Sequence, residues 1–302
     1  MKLSLRLGLF ILLLTTQLLA QAPPKASPSR VQTIEFQSRL LASKALYNVI
    51  LPTDYFTSRS SRYAVLYLLH GLAGHYSDWL THTNIADYAA RYRIIIVMPE
   101  GNNGWYTDSV TVPTDRYESY ILEELLPDVA RRFRTIEARY GLGVAGLSMG
   151  GYGALKFGLK YPERFAFAAS LSGALGVVRS DPASLGFAAD SVLRAFGPLD
   201  NPAHKQNDLF ALLEEMPAMR VTSLPYLYFD CGTEDVPQIF SSNRELSEVM
   251  LKKRVAHEYR ELPGDHSWAY WDRQIQEVLE IAALKLIRGH KHVTHAVSLR
   301  AN

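Results

Sequence analysis

The chain has 302 residues, 48% hydrophobic and 21% charged, a globular balance long enough for one large α/β domain or two small ones. Its 32 basic and 30 acidic residues give a formal net charge of +2 with no basic stripe, which disfavours nucleic acid as a partner. The single cysteine, Cys231, excludes an internal disulfide and reads as a small core residue, since nothing around it suggests a reactive thiol.

The N-terminus stands apart from the rest. Lys2 and Arg6 precede an eight-residue apolar run, residues 7–14, and a small residue, Ala20, follows. This order predicts a secretory signal peptide over residues 1–20, cleaved after Ala20. The run is too short to span a bilayer, so no stable membrane insertion is expected after processing, and the expected location is secreted or periplasmic. Processing would remove two basic residues and no acid, leaving 30 of each sign. Residues 21–30, QAPPKASPSR, are rich in Pro, Ser and Ala and read as a flexible leader to a catalytic domain over residues 31–288.

Strand-like and helix-like patterns then alternate. Strands are expected at 31–37, 45–51, 64–69, 94–98, 142–147, 165–171, 226–229 and 256–262. Helices are expected at 85–91, 117–133, 151–160, 241–252 and 268–287. Apolar strands separated by helices imply an α/β fold: an eight-stranded, mostly parallel sheet with helices on both faces, opened by one antiparallel hairpin. Residues 174–224 carry no strand pattern and form an insertion after the sixth strand. Such an insertion is expected to lie like a lid over the carboxyl edge of the sheet, where ligands bind. The tail, 289–302, lacks apolar periodicity and reads as frayed and disordered, with its His290, His292 and His295 in solvent.

Chemistry is concentrated at Gly146-Leu147-Ser148-Met149-Gly150. This is a G-x-S-x-G sequence between a strand and a helix, the context that gives the motif meaning. A serine there occupies a strained turn, its neighbours two positions away must be small, and its hydroxyl meets the free N–H groups of a helix N-terminus. A serine needs a base, and the base an orienting acid. On this architecture the order is serine, acid, histidine. Of nine histidines, His266 alone follows the last strand in a glycine-containing turn, Gly264-Asp265-His266. The loop after the preceding strand offers Asp230, Glu234 and Asp235. Asp235, beyond the Gly232 turn with room to reach His266, is the favoured acid. The turn after the third strand, His70-Gly71-Leu72, is placed to supply the Leu72 N–H to an oxyanion hole, with Met149 N–H as the other donor. His70, His75, Asp78 and His82 match no compact metal-ligand spacing, so no metal is expected.

With these stand Leu69-His70-Gly71-Leu72, Met98-Pro99-Glu100-Gly101, Gly104-Trp105-Tyr106-Thr107-Asp108, Cys231-Gly232-Thr233-Glu234-Asp235 and Gly264-Asp265-His266-Ser267-Trp268. Together the six motifs resemble the esterase D family of α/β-hydrolases. That family includes S-formylglutathione hydrolases, feruloyl and acetyl-xylan esterases, enterochelin esterases and mycolyltransferases. The resemblance implies the α/β-hydrolase fold and a serine hydrolase with no metal or organic cofactor. It supports Asp235 as acid and Leu72 and Met149 as oxyanion donors, and it implies that Trp105 lines the substrate pocket. The expected activity is that of a secreted serine carboxylesterase on short acyl or aromatic esters, small molecules or esterified carbohydrates. Two other readings remain open at this point: an acyltransferase of the mycolyltransferase type using the same residues, and a non-catalytic binding module on the same fold.

Overall fold

The computed structural model describes residues 29–298, with side chains through Leu286. The expected signal peptide, residues 21–28 of the leader, residues 299–302 and the side chains of His290, His292 and His295 lie outside the described residues. Eight strands form one open sheet: β1 (Val31–Ser38), β2 (Ser43–Ile50), β3 (Ala64–Leu69), β4 (Ile94–Pro99), β5 (Leu142–Leu147), β6 (Phe167–Leu171), β7 (Tyr226–Gly232) and β8 (His257–Leu262). Their spatial order is β1-β2-β4-β3-β5-β6-β7-β8. β2 runs antiparallel to both its neighbours, and every pairing from β4 to β8 is parallel. The expected fold class is therefore the observed one.

The central strands are apolar on both faces because helices cover both. All six residues of β3 and of β4 are buried. Tyr67, Val97 and Val144 point into one core layer, and Leu66, Ile96 and Ala145 into the other. The helices are α1 (Asp78–His82), α2 (Ile85–Ala89), α3 (Tyr117–Ser119), α4 (Leu126–Arg132), α5 (Met149–Lys160), α6 (Ala189–Phe196), α7 (Pro202–Asn207), α8 (Leu209–Glu214), α9 (Ala218–Val221), α10 (Pro237–Lys252) and α11 (Trp268–Ser298). A π-helical stretch, Tyr120–Leu125, joins α3 to α4, so the single helix expected at 117–133 is continuous but locally widened. α11 continues to Ser298, through the segment read from composition as a frayed tail. α1, only five residues long, has no counterpart among the expected helices.

β6 is followed by the strandless insertion, built from short 3-10 turns and α6 to α9. Among the described residues no helix is long and apolar enough to cross a membrane.

Candidate active site

Parallel strands deliver the chemistry to one edge. β3, β5, β7 and β8 all end on the same side of the sheet, and the expected site residues follow their last residues. Ser148 links β5 to α5 with φ 51° and ψ −116°, a conformation that costs a non-glycine residue energy and persists only when its surroundings fix it. Its N–H donates to Leu171 O (3.0 Å), and its carbonyl accepts from Tyr152 and Ala174 N–H. The flanking glycines have no room for side chains. A Cβ on Gly146 would lie 2.5 Å from the Gly150 backbone, and one on Gly150 would lie 2.6 Å from the carbonyl oxygens of Leu69 and His70.

His266 comes from the β8–α11 loop and Asp235 from the β7–α10 loop. The two loops are joined by Thr233 N–H to Leu262 O (2.8 Å) and Glu234 N–H to Gly264 O (2.9 Å). The close approach needs glycine: a Cβ on Gly232 would stand 2.2 Å from Gly264 O, and Gly264 itself has φ 141°. His266 Nδ1 then lies 2.9 Å from Asp235 Oδ1, and Nε2 lies 3.0 Å from Ser148 Oγ. An acceptor carboxylate at Nδ1 places the neutral ring's proton there, leaving the Nε2 lone pair toward the serine hydroxyl. Asp235 Oδ1 also accepts from Val236 N–H (2.7 Å), so both of these bonds fall on one carboxylate oxygen. The indole of Trp271 stands nearly perpendicular to the imidazole, centroids 4.9 Å apart at 87°. Ser148, His266 and Asp235 are thus brought together as the sequence expects.

Asp230 is not where the sequence reading allowed it. It lies inside β7 rather than capping a loop, and strand alternation turns it with Tyr228 toward α11. Its carboxylate is fully buried and accepts from Tyr228 OH (3.0 Å) and Tyr270 OH (2.8 Å). Burial raises its pKa to about 7, against the two hydroxyl bonds that lower it. Cys231 points to the other face and is buried, which pushes its thiol well above its ordinary range.

The β3 turn lies beside the Ser148 turn: a Cβ on Gly71 would meet Leu147 Cδ1 at 2.6 Å and Ser148 Cβ at 3.5 Å. Leu72 lines the cavity at Ser148, and Met149 opens α5. His70 and Glu100 hold this turn from below. His70 Nδ1 is 2.8 Å from Gly71 O and Nε2 is 3.2 Å from Glu100 Oε1, while Tyr106 OH donates to His70 O (3.0 Å). Burial would raise the Glu100 pKa, but His70 and the N–H groups of Asn102 and Tyr76 outweigh it and hold the carboxyl at about 2. Among the described residues no group of three or more His, Cys, Asp or Glu side chains could hold a metal ion.

Trp105 is buried, lines the same cavity, and bonds through Nε1 to Ser191 Oγ (2.9 Å) on α6. Trp105 and Tyr106 both have positive φ (52° and 51°). What fixes this strained pair was not legible in the sequence. Lys156 of α5 is fully buried and donates to Tyr106 O (2.7 Å), Thr107 Oγ1 and Glu118 Oε2 (2.7 Å). Burial lowers the Lys156 pKa to about 8 although Glu118 raises it. The cavity has a volume of about 560 Å³, with walls from the start of the insertion (Val177, Leu185, Phe187) and from α10 (Ile239).

Comparison with known proteins places the chain in a family. The "Putative esterase" family description matches residues 38–280, which is most of the chain. An acetyl esterase of Caldicellulosiruptor saccharolyticus is 29% identical over 261 residues, covering 83% of this chain and 97% of the relative. Esterase Rv1288 of Mycobacterium tuberculosis is 34% identical over 263 residues, covering 78% of this chain and 56% of the relative. Among solved structures, a fluorophosphonate-binding serine hydrolase of Staphylococcus aureus superposes with a TM-score of 0.75 at 26% identity, covering 85% of this chain and 99% of that one. The matched span contains every one of the six motifs and the loops that carry Ser148, Asp235 and His266, and on that ground the chain belongs to this esterase family and is a carboxylic ester hydrolase.

Proposed function

We propose that the protein is a secreted serine carboxylesterase acting through Ser148, His266 and Asp235 on short acyl or aromatic esters, including acylated carbohydrates. The observation that carries this reading is the unbroken chain of contacts from Asp235 Oδ1 through the imidazole to Ser148 Oγ, 2.9 and 3.0 Å. In the first step Ser148 Oγ attacks the ester carbonyl while His266 Nε2 takes its proton, and Asp235 stabilises the imidazolium that forms. The N–H groups of Met149 and Leu72 receive the developing oxyanion at the start of α5, where the helix dipole favours negative charge. The tetrahedral intermediate collapses, His266 returns the proton to the leaving alcohol, and an acyl-enzyme remains. Water, activated by the same imidazole, then releases the acid. Trp105 serves as a wall of the substrate cavity. The signal-like N-terminus, Lys2 to Ala20, supports export, and an exported esterase meets polymer-bound and envelope esters rather than cytosolic thioesters.

The test is hydrolysis of para-nitrophenyl acetate and methyl ferulate by the wild type and Ser148→Ala, with acid and alcohol both quantified. The wild type should release them in equal amounts, unchanged by added trehalose. Ser148→Ala should lose at least about a thousandfold in kcat with an unchanged circular dichroism spectrum. Retained turnover in the variant, or alcohol release outrunning acid release when trehalose is present, contradicts the proposal.

A further inference from the structure

The cavity at Ser148 is much larger than a small acyl group needs. It measures about 560 Å³, whereas an acetyl group takes up roughly the volume of two waters. Its outer wall is a strap of three 3-10 turns, Val177–Arg179, Pro182–Ser184 and Gly186–Ala188. The strap is seated through Val177 and Ala188, both buried, and through Leu185, which packs on the core. Phe187 is the exception: it lines the cavity with 87% of its surface exposed. Gly186, at φ 53°, reverses the chain just before it, and a Cβ there would meet nothing within 4 Å. From a second wall comes Val236, 45% exposed, with Ile239 one turn further along α10.

A lone exposed apolar side chain on a protein surface calls for no explanation, but apolar groups gathered around one cavity do. Several polar groups of the same lining already have partners. Ser184 Oγ donates to Asp181 O (2.7 Å), Ser242 Oγ donates to Ile239 O (3.0 Å), and Arg179 stands 4.0 Å from Glu245. The surface left unmatched is mostly hydrocarbon. Of the two halves of an ester, the alcohol departs after the first step and must pass the rim, while the acyl half stays bonded to Ser148 through both steps. A walled apolar volume rooted at the nucleophile therefore serves the acyl half.

We infer that Phe187, facing the same volume as Val236 and Ile239, is a specificity-determining residue that covers an acyl chain much longer than acetyl. This rests on the serine carboxylesterase reading of the site, whose catalytic roles it keeps, and moves the preferred substrates from short acyl esters to esters of medium-chain acids, for which octanoyl is the probe. Phe187 makes no contact with the reacting atoms, so its contribution is confined to the part of the chain beyond the carbonyl.

The experiment compares kcat/KM for para-nitrophenyl octanoate and acetate, which share a leaving group, in the wild type, Phe187→Ala and Phe187→Leu. The wild type should favour octanoate. Phe187→Ala should lose about tenfold on octanoate, mainly through KM, and less than about twofold on acetate. Phe187→Leu, which keeps an apolar cover, should recover most of the loss. Equal loss on both substrates, or none on octanoate, overturns the inference. A wild type that hydrolyses neither ester instead sinks the carboxylesterase reading, so the two failures are distinguishable.

Discussion

The imidazole of His266 is fixed at both nitrogens, yet two in-line bonds still allow the ring to rock about the axis joining them. Trp271 removes that freedom. Its indole meets the imidazole at 4.9 Å and is itself backed by Trp268, which packs edge-on against Trp79 and stacks on His82. An orthogonal aromatic contact is worth about 0.5–1.5 kcal/mol beyond the area it buries. Its π-quadrupole would also respond to the charge the ring acquires in the proposed first step. Around His266 the titratable groups are Asp235 on its Nδ1 side, Glu234 and Asp265 in the loops that carry it, and Asp230 and Tyr270 beneath the first turn of α11. Trp271→Leu should lower kcat about tenfold with little change in KM, while Trp271→Phe keeps most of the rate. A Trp271→Leu kcat equal to that of the wild type after active-site titration would show that the indole only fills space. At this scale Ser148 and His266 were legible because each sits in a short local motif. Asp235 was legible from its place beyond the Gly232 turn; what was hidden was the end of β7, which runs to Gly232, so that Asp230 is inside the strand and bonds to Tyr270 rather than lying in the loop. The Trp271 contact was hidden, since its partner precedes the helix that carries it.

Among the elements, the strands were the most readable because buried parallel strands are continuous apolar runs; β3 and β5 have the boundaries the sequence suggests. Short pieces escaped. α1 is a five-residue helix with too little length to show a period, and the insertion's helices are four to eight residues long. That residues 174–224 hold no strand was visible, but not that Phe187 and Trp105 face one cavity from opposite ends of the chain's middle third. α5 hid most. Eleven of its twelve residues are buried, Lys156 among them, so no polar face marks the lysine as exposed or interior. Its partner Glu118 lies on α3, 38 positions away. This buried pair ties the nucleophile helix to the strained Trp105-Tyr106 turn, and thereby ties the serine to the cavity wall. α6 fastens the other side of the same loop: Val110 N–H bonds to Ala195 O (3.1 Å), and Arg194 pairs with Asp115 (2.5 Å).

For the molecule as a whole, buried carboxyls pull stability in two directions with pH. Glu100 and Glu118 are both held at about 2. Burial opposes the charge of each, and the bonds from His70 to Glu100 and from Lys156 and Lys160 to Glu118 outweigh it. A carboxyl held below its unfolded pKa adds stability above that unfolded value and loses it as pH falls through the folded one, so these two weaken the fold between about pH 4.5 and 2. Asp230 acts oppositely. Raised by burial from 3.8 to about 7, it binds its proton more tightly when folded, so its ionisation costs stability as pH rises through that window. A shift of this size corresponds to about 4 kcal/mol by linkage. The melting temperature should therefore rise as pH is lowered from 8 to about 5 and fall below about 4.5. In Asp230→Asn the first limb should flatten while the acid limb persists. A variant that keeps the wild-type rise between pH 8 and 5 would assign that limb to another group.

On the proposed mechanism, one strained turn, one imidazole and one buried carboxylate make the Ser148 hydroxyl reactive. Labelling with a fluorophosphonate probe, followed by peptide mass spectrometry, tests it without assuming any substrate. The wild type should be phosphonylated stoichiometrically at Ser148 and Ser148→Ala not at all, and the labelling rate should fall by at least about a hundredfold in His266→Ala. Labelling at another residue, or an undiminished rate in His266→Ala, would contradict it.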